Sequence, residues 1–396
     1  MAFHKPPTFN FDILSEVVNQ APQDVQLALA STCRNLRTLS WRAFQHPVIL
    51  ENNSALGSFI QFTRGLKKSG REHLLGNIWS LTMSWKELKE HRDLAEESRV
   101  ILCKTTGIRE LTLIDGEEVL HVFPQLGHAV ADLRGVNAIE IRGAGKNMHE
   151  VIGSMKSRPR VISVGNDLYE PLFLHWHLPP NLASRLERLE VSHMNTRPNP
   201  EAVTEFTTFP LVRDLSVKDV IANRGRYHLM EYFPNLDTLD VGVFTMNAMT
   251  NFRWMDLVWS LPPFREERLS NKTVSKAAIR RVAERGGSGL WRDLKLVRGG
   301  IWDLFCSGHI CRTEVLEVLG SVRKSPLCLD QVVGDHSPQC LRVTLPAPLK
   351  RLKRNTEKRF RSVKSLYLRL DLEDGQVSNV GQFIVSPIGA RCIRCL

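Results

Sequence analysis

The sequence predicts an α/β chain in two parts: a three-helix module at the N-terminus, then a long solenoid of repeated strand-and-helix units, with a parallel sheet on its concave face and helices on its convex face. Three observations carry this expectation. The segment Phe11–Gln20 gathers its apolar residues on one helical stripe. A six-residue pattern, apolar-x-x-apolar-x-apolar, recurs through most of the remaining chain. Its copies are spaced as stacked repeats are, and such a period outranks any local signal when a fold is assigned.

The helices come first. Ile13, Leu14, Val17 and Val18 stand at i, i+1, i+4 and i+5, one stripe on a 3.6-residue period. Ala21-Pro22-Gln23-Asp24 then breaks the pattern, and Asp24 is placed to cap a second short helix, Val25 through Ala30. A third, Thr32 to Leu39, carries Cys33, Leu36 and Leu39 on one face. Three short helices bury only a small core, so a unit of this kind normally needs a partner over its apolar side.

The repeat begins with Ile78-Trp-Ser-Leu-Thr-Met83. It continues with Ile108–Leu113, Val136–Ile141, a weaker Pro159–Val164, and a strong trio at Leu186–Val191, Val212–Val217 and Leu236–Val241. Later copies are Trp291–Leu296, Thr313–Val318, Cys340–Val343 and Val363–Leu368. The fourth positions, Leu81, Leu111, Ile139, Ile162, Leu189, Leu215 and Leu239, lie 30, 28, 23, 27, 26 and 24 residues apart. Leu294, Leu316, Leu341 and Leu366 follow at 22, 25 and 25, and the gap of 55 before Leu294 has room for a hidden copy near Leu269. In each copy the apolar residues point into the stack, while the polar residues between them alternate outward. On the concave face this alternation puts Glu190, Ser192, Asp214, Ser216, Lys218, Asp237 and Asp240, the expected substrate-binding residues. Stacking buries a continuous core that no single repeat could bury alone.

On these residues the N-terminal segment resembles an F-box of the fungal type. Phe9-Asn-Phe-Asp-Ile-Leu-x-x-Val-Val resembles its opening, usually Leu-Pro-x-Glu-Ile-Leu-x-x-Ile-Leu. Asp24-Val25 resembles its Asp-Leu step, and Ala28 to Leu39 its third-helix signature. Trp41 and His46-Pro47 fit its C-terminal edge. Asn10 stands where proline is usual and Ala21 where leucine is usual. The repeats are similar to leucine-rich repeats, which run ~20–29 residues, but the Asn or Cys that ladders their turns is mostly absent, so they are degenerate. The resemblance implies 1–50 as F-box module, 51–75 as helical connection, 76–372 as solenoid and 373–396 as C-terminal cap or tail. It also implies a Skp-type adaptor and cullin scaffold as partners, with Phe9, Ile13, Leu14, Val17, Val18, Pro22, Val25, Leu29 and Leu36 on the adaptor surface and a protein substrate on the solenoid. Such a protein acts by proximity, with no catalytic residue, cofactor or metal of its own.

Composition narrows the field further. Apolar residues make up 42% and charged residues 24%, ordinary globular proportions. No stretch approaches the ~20 apolar residues that cross a bilayer, and the opening twelve residues lack the apolar core of a signal peptide. The expectation is therefore a chain of the cytoplasm or nucleus whose eight cysteines stay reduced. The formal charge of +11 is dispersed among acids, apart from the run Lys350–Arg361, read as a solvated helix face, with a nuclear-localisation or nucleic-acid-binding patch as the alternative. Gly143-Ala-Gly-Lys146 lacks the first glycine and the Ser/Thr of a phosphate loop, and Arg285-Gly-Gly-Ser-Gly289 lacks the second glycine of a nucleophile elbow. Cys306, His309, Cys311, Cys392 and Cys395 offer zinc-type donors without a finger's spacing. His175 and His177 sit beside two prolines, as surface residues do.

Overall fold

The computed structural model describes residues 11–22, 25, 29, 36, 47–166, 172–173, 180–192, 194–195, 208–218, 229–242, 268–269, 272–273, 275–277, 279–280, 291, 293–321, 326–346, 362–371 and 377–384. The chain divides into two compact units, residues 1–142 with 150–157, and residues 143–149 with 158–396. No helix among the described residues is long and apolar enough to cross a membrane. Phe9, the basic run 350–361, Arg285–Gly289, His175, His177, Cys392 and Cys395 lie outside the described residues, as do the side chains of Leu14 and Cys306.

The first unit opens with helix α1 (Phe11–Gln20). Its Val18 is fully buried and packs against Leu29 and Leu36. A strand that the repeat pattern did not announce, β1 (Val48–Leu50), follows and pairs in parallel with β2 (Ser80–Ser84). It is too short to hold the six-residue pattern. Helix α2 (Asn53–Lys68) starts where the Asn52 side chain accepts the Ala55 N–H at 2.9 Å, and it buries Leu56, Phe59, Ile60 and Leu66 on one face. Parallel pairing continues through β3 (Glu110–Ile114) and β4 (Ala138–Ala144). Helix α3 (Arg92–Lys104) runs between β2 and β3, and α4 (Glu117–Val122) and α5 (Pro124–Ala131) between β3 and β4, the last beginning on a proline, where its missing N–H is no loss. Helix α6 (Lys146–Ser154) leads into a return, where the Lys156 and Ser157 N–H groups donate to Ala131 and Leu133 carbonyls at 2.7 and 3.0 Å.

In the second unit the parallel order is β5 (Val161–Asn166), β7 (Arg188–Ser192), β9 (Asp214–Lys218), β10 (Thr238–Val241), β11 (Asp293–Gly300), β12 (Arg312–Ser321), β13 (Cys340–Pro346) and β14 (Ser365–Asp371). An antiparallel strand, β15 (Val377–Ile384), closes the row beyond β14. The short strands β6 (Leu172–Phe173) and β8 (Met194–Asn195) pair separately. Helices α7 (Leu229–Tyr232), α8 (Ile301–Ser307) and α9 (Pro326–His336) lie between the main strands.

Strand register tests the repeat directly. Leu81, Leu111 and Ile139 are partners in the first unit. Ile162, Leu189, Leu215 and Leu239 are partners in the second, as are Leu316, Leu341 and Leu366. Two expectations fail. The residue aligned with Leu239 and Leu316 is Val297, not Leu294, so the copy at Trp291–Leu296 sits three residues too early. Gly299 then occupies the place that Val241 and Val318 fill in neighbouring strands, because a Cβ there would stand 2.5 Å from the Val241 carbonyl oxygen. No hidden strand lies at Leu269, which is helical and 61% exposed, and β10 pairs directly with β11.

The missing side-chain ladder has a backbone counterpart at strand entry. The Trp79 carbonyl accepts from both Arg109 and Glu110 N–H, and the Arg109 carbonyl from Asn137 and Ala138. In the second unit the carbonyls of Arg160, Glu187, Arg213, Asp237 and Gln339 each accept from two successive N–H groups of the next strand. Buried peptide groups need such partners, and this arrangement supplies them without a particular side chain.

Candidate functional site

Opposite the buried leucines of the second unit, register places one residue per strand in a single row: Ser163, Glu190, Ser216, Asp240, Arg298, Glu317, Arg342 and Tyr367. Neighbours in such a row are about 4.8 Å apart across the sheet. Glu190 pairs with Lys218, Asp240 with Arg298 at 2.7 Å, and Asp237 with Lys295 at 3.1 Å. The hydrogen bond and charge of Asp240 raise the Arg298 guanidinium above its ordinary pKa. Ser216 Oγ and Arg298 Nε are buried without a hydrogen-bond partner among the described residues. Of the other expected substrate-face residues, Asp214 is exposed and Ser192 half-buried. Most charges of that set are therefore already engaged within the sheet.

The row extends past the expected set. Arg298, Glu317, Arg342 and Tyr367 occupy the same place in their strands as Glu190 does in its own. Glu317, Arg342 and Tyr367 were marked by the alternation after Leu316, Leu341 and Leu366, whereas the slip at Val297 hid Arg298. Arg342 lies over the Tyr367 ring, its guanidinium carbon 5.4 Å from the centroid.

In the first unit the N-terminal helix divides its apolar residues between two faces. Val18, placed by the sequence on the adaptor surface, is instead fully buried with Leu29 and Leu36, half-buried, packed against it. The three serve the small core of the module. Ile13 and Val17 are 56% and 55% exposed, Val25 is 41% exposed and Pro22 is exposed. This apolar surface is contiguous along α1 at i, i+4 spacing.

A buried polar cluster in the second unit went unseen in the sequence. Asp335 accepts from Arg268 at 2.6 Å and from Lys272 at 2.7 Å, across more than sixty residues of chain. Arg268 also lies over the Phe305 ring, 4.2 Å from its centroid. Beside it Cys311 Sγ is 3.0 Å from His336 Nδ1, and His309 meets the Trp291 ring edge-on at 5.0 Å. A thiol and an imidazole at this distance form a nucleophile–base pair where the thiolate is favoured. Here burial pushes the Cys311 thiol upward and the His336 imidazole down to about 4, so both stay neutral and the pair is inert packing. Among the described residues no group of three or more His, Cys, Asp or Glu is placed to hold a metal ion. No pattern linked Arg268 or His336 to this cluster, because their neighbours in sequence lie elsewhere.

Compared with models of known protein families and with curated proteins, the chain matches none of them.

Proposed function

We propose that this chain is the substrate-recognition subunit of a Skp–cullin–F-box ubiquitin ligase, docking the adaptor through its N-terminal helices and a protein substrate through the polar face of its degenerate leucine-rich repeats. The observation that carries the reading is the apolar surface left on α1. With Val18 buried against Leu29 and Leu36, Ile13 and Val17 are left exposed at i and i+4 on α1, and Val25 beyond the helix is exposed as well. An exposed stripe at helical spacing is a docking surface for another protein, since water gains by its removal. The parallel stack supports the second half of the reading, because a rigid sheet presents side chains at fixed intervals to a bound partner. Neither half asks any residue of this chain to make or break a bond. The protein would hold its substrate near a separate conjugating enzyme and raise the effective concentration of the substrate's lysines.

The test is Ile13→Asp combined with Val17→Asp. Both side chains are exposed, so the module stays folded while the charges oppose adaptor docking. Co-purification of the Skp-type adaptor and cullin should be lost, with circular dichroism and the melting temperature unchanged. Full adaptor recovery by the doubly substituted protein would retire the ligase reading. Val18→Asp makes a poor probe, because it would break the module's own core.

A further inference from the structure

The charges in the polar row of the second unit fall into two sets. Asp240 and Arg298 are joined to each other, and Glu190 is joined to Lys218. Further along, Glu317 and Arg342 are register partners without a close ion pair among the described residues; Glu317 also lies beside Arg298 on β11 and adds to the stabilisation of its charge. Arg342 is exposed, lies over the Tyr367 ring and hydrogen-bonds the Cys340 thiol, contacts that leave its charge unneutralised. Two residues beyond Glu317 on the same face, Leu319 is 43% exposed. Its neighbour on β11 is Gly300, which has no side chain to cover it.

On the reading that this face receives a protein partner, we infer that the docking strip is β12–β14 and that its occupant is a helical segment bearing one acidic and one basic side chain on adjoining turns, with an apolar side chain beside them. The carboxylate meets Arg342, the cation meets Glu317, and the apolar group seats on Leu319. The spacing selects a helix. Rows of a sheet advance by about 4.8 Å, close to the roughly 5–6 Å between helix residues at i and i+4. Same-face residues of an extended chain are about 6.8 Å apart and fall out of step. The charge pattern selects a mixed partner, because Glu317 repels a uniformly acidic segment and Arg342 a uniformly basic one. Arginine and tyrosine side by side also match the composition of binding hot spots.

The experiment uses the purified full chain and three fluorescein-labelled, side-chain-stapled helical peptides. These share one leucine and carry Lys/Glu, Glu/Glu or Lys/Lys at i and i+4. Fluorescence anisotropy at low salt should show the wild-type protein preferring the mixed peptide by about fivefold, the effect of two exposed ion pairs. Arg342→Glu should transfer the preference to the dibasic peptide, and Glu317→Lys to the diacidic one. Leu319→Ser should weaken all three alike. An order of preference that neither charge substitution changes, or no measurable binding by any peptide, overturns the inference. Adaptor co-purification is read separately through α1, so failure of the unsubstituted chain to recover the adaptor, with the peptide preference intact, would retire the ligase reading alone.

Discussion

Asp335 holds two cations from a distant segment, and its removal strands both of them. The Arg268 side chain is 8% exposed and that of Asp335 13%, with contacts of 2.6 and 2.7 Å to the two cations. Removing one partner of a buried ion pair costs about 3–5 kcal/mol, because the other charge stays out of water without compensation. Two features bring Asp335→Ala toward the lower bound. Lys272 is 29% exposed and can turn to solvent, and Arg268 keeps the face of Phe305 at 4.2 Å. A desolvated cation over a ring is worth about 2 kcal/mol. The expected loss is therefore about 3 kcal/mol.

The assay is urea denaturation followed by far-ultraviolet circular dichroism, with the shift in midpoint converted at constant slope. The partner variant sharpens it. Arg268→Met removes the stranded charge while keeping an apolar side chain against Phe305, and replacing a buried pair by apolar groups is often close to neutral. Adding Arg268→Met to Asp335→Ala should thus restore most of the lost stability. A loss below about 1 kcal/mol for Asp335→Ala, typical of a surface pair, would refute the claim that this triad is a buried clasp. So would a double variant no more stable than the single one.

Two further predictions follow from the same unit. Burial lowers His336 to about 4 and His309 to about 3, against an ordinary value near 6.5 in the unfolded chain. The unfolded chain therefore binds protons that the folded one refuses: stability is complete above pH 6.5, falls as the pH drops, and levels below the folded values. For His336 the loss by pH 4 is on the order of 3 kcal/mol. Denaturation midpoints between pH 7.5 and 4 should show the decline, and His336→Asn should remove about half of it, His309 supplying the rest; a flat wild-type profile would contradict neutral burial. Gly299→Ala should destabilise by about 1–3 kcal/mol, since its Cβ meets the Val241 carbonyl at 2.5 Å and Leu304 at 3.2 Å. Gly334→Ala, in α9 with nothing within 4 Å, should stabilise by about 0.5–1 kcal/mol, and equal melting shifts for the two would disprove the packing argument.

The repeat was legible because its energy lies in a period. Leu81, Leu111 and Ile139, or Leu189, Leu215 and Leu239, each sit on the core side at the same phase of their strands, and slipping one strand by a single residue would turn its apolar set to water. The failure at β11 has the same origin. Leu294 and Leu296 mimic the fourth and sixth positions of the pattern, while the true sixth position is a glycine because the Val241 carbonyl approaches too closely for a side chain. A local steric demand erased the marker on which the period depends. Strand β1 escaped notice for a simpler reason: Val48 and Leu50 are buried and Ile49 exposed, an alternation of three residues that occurs everywhere in globular sequences.

The candidate site was legible only in outline, and the reason lies in how charges are settled. Alternation along a strand says which residues lie opposite the buried leucines, and it puts Glu190, Ser216 and Asp240 in one row. It does not say which of them are already spent on a neighbour one or two repeats' worth of sequence away. Asp240 meets Arg298 across 58 residues and Asp237 meets Lys295 across the same interval. Recognition falls to charges that the fold leaves unpaired, and pairing is a property of the stack rather than of any repeat. The helical face of α1 obeys the same logic with apolar groups: the stripe of Ile13, Val17 and Val18 is continuous in sequence, yet packing against Leu29 and Leu36 takes Val18 and leaves the other two outside. In both places a surface becomes available for a partner only after the chain has met its own needs.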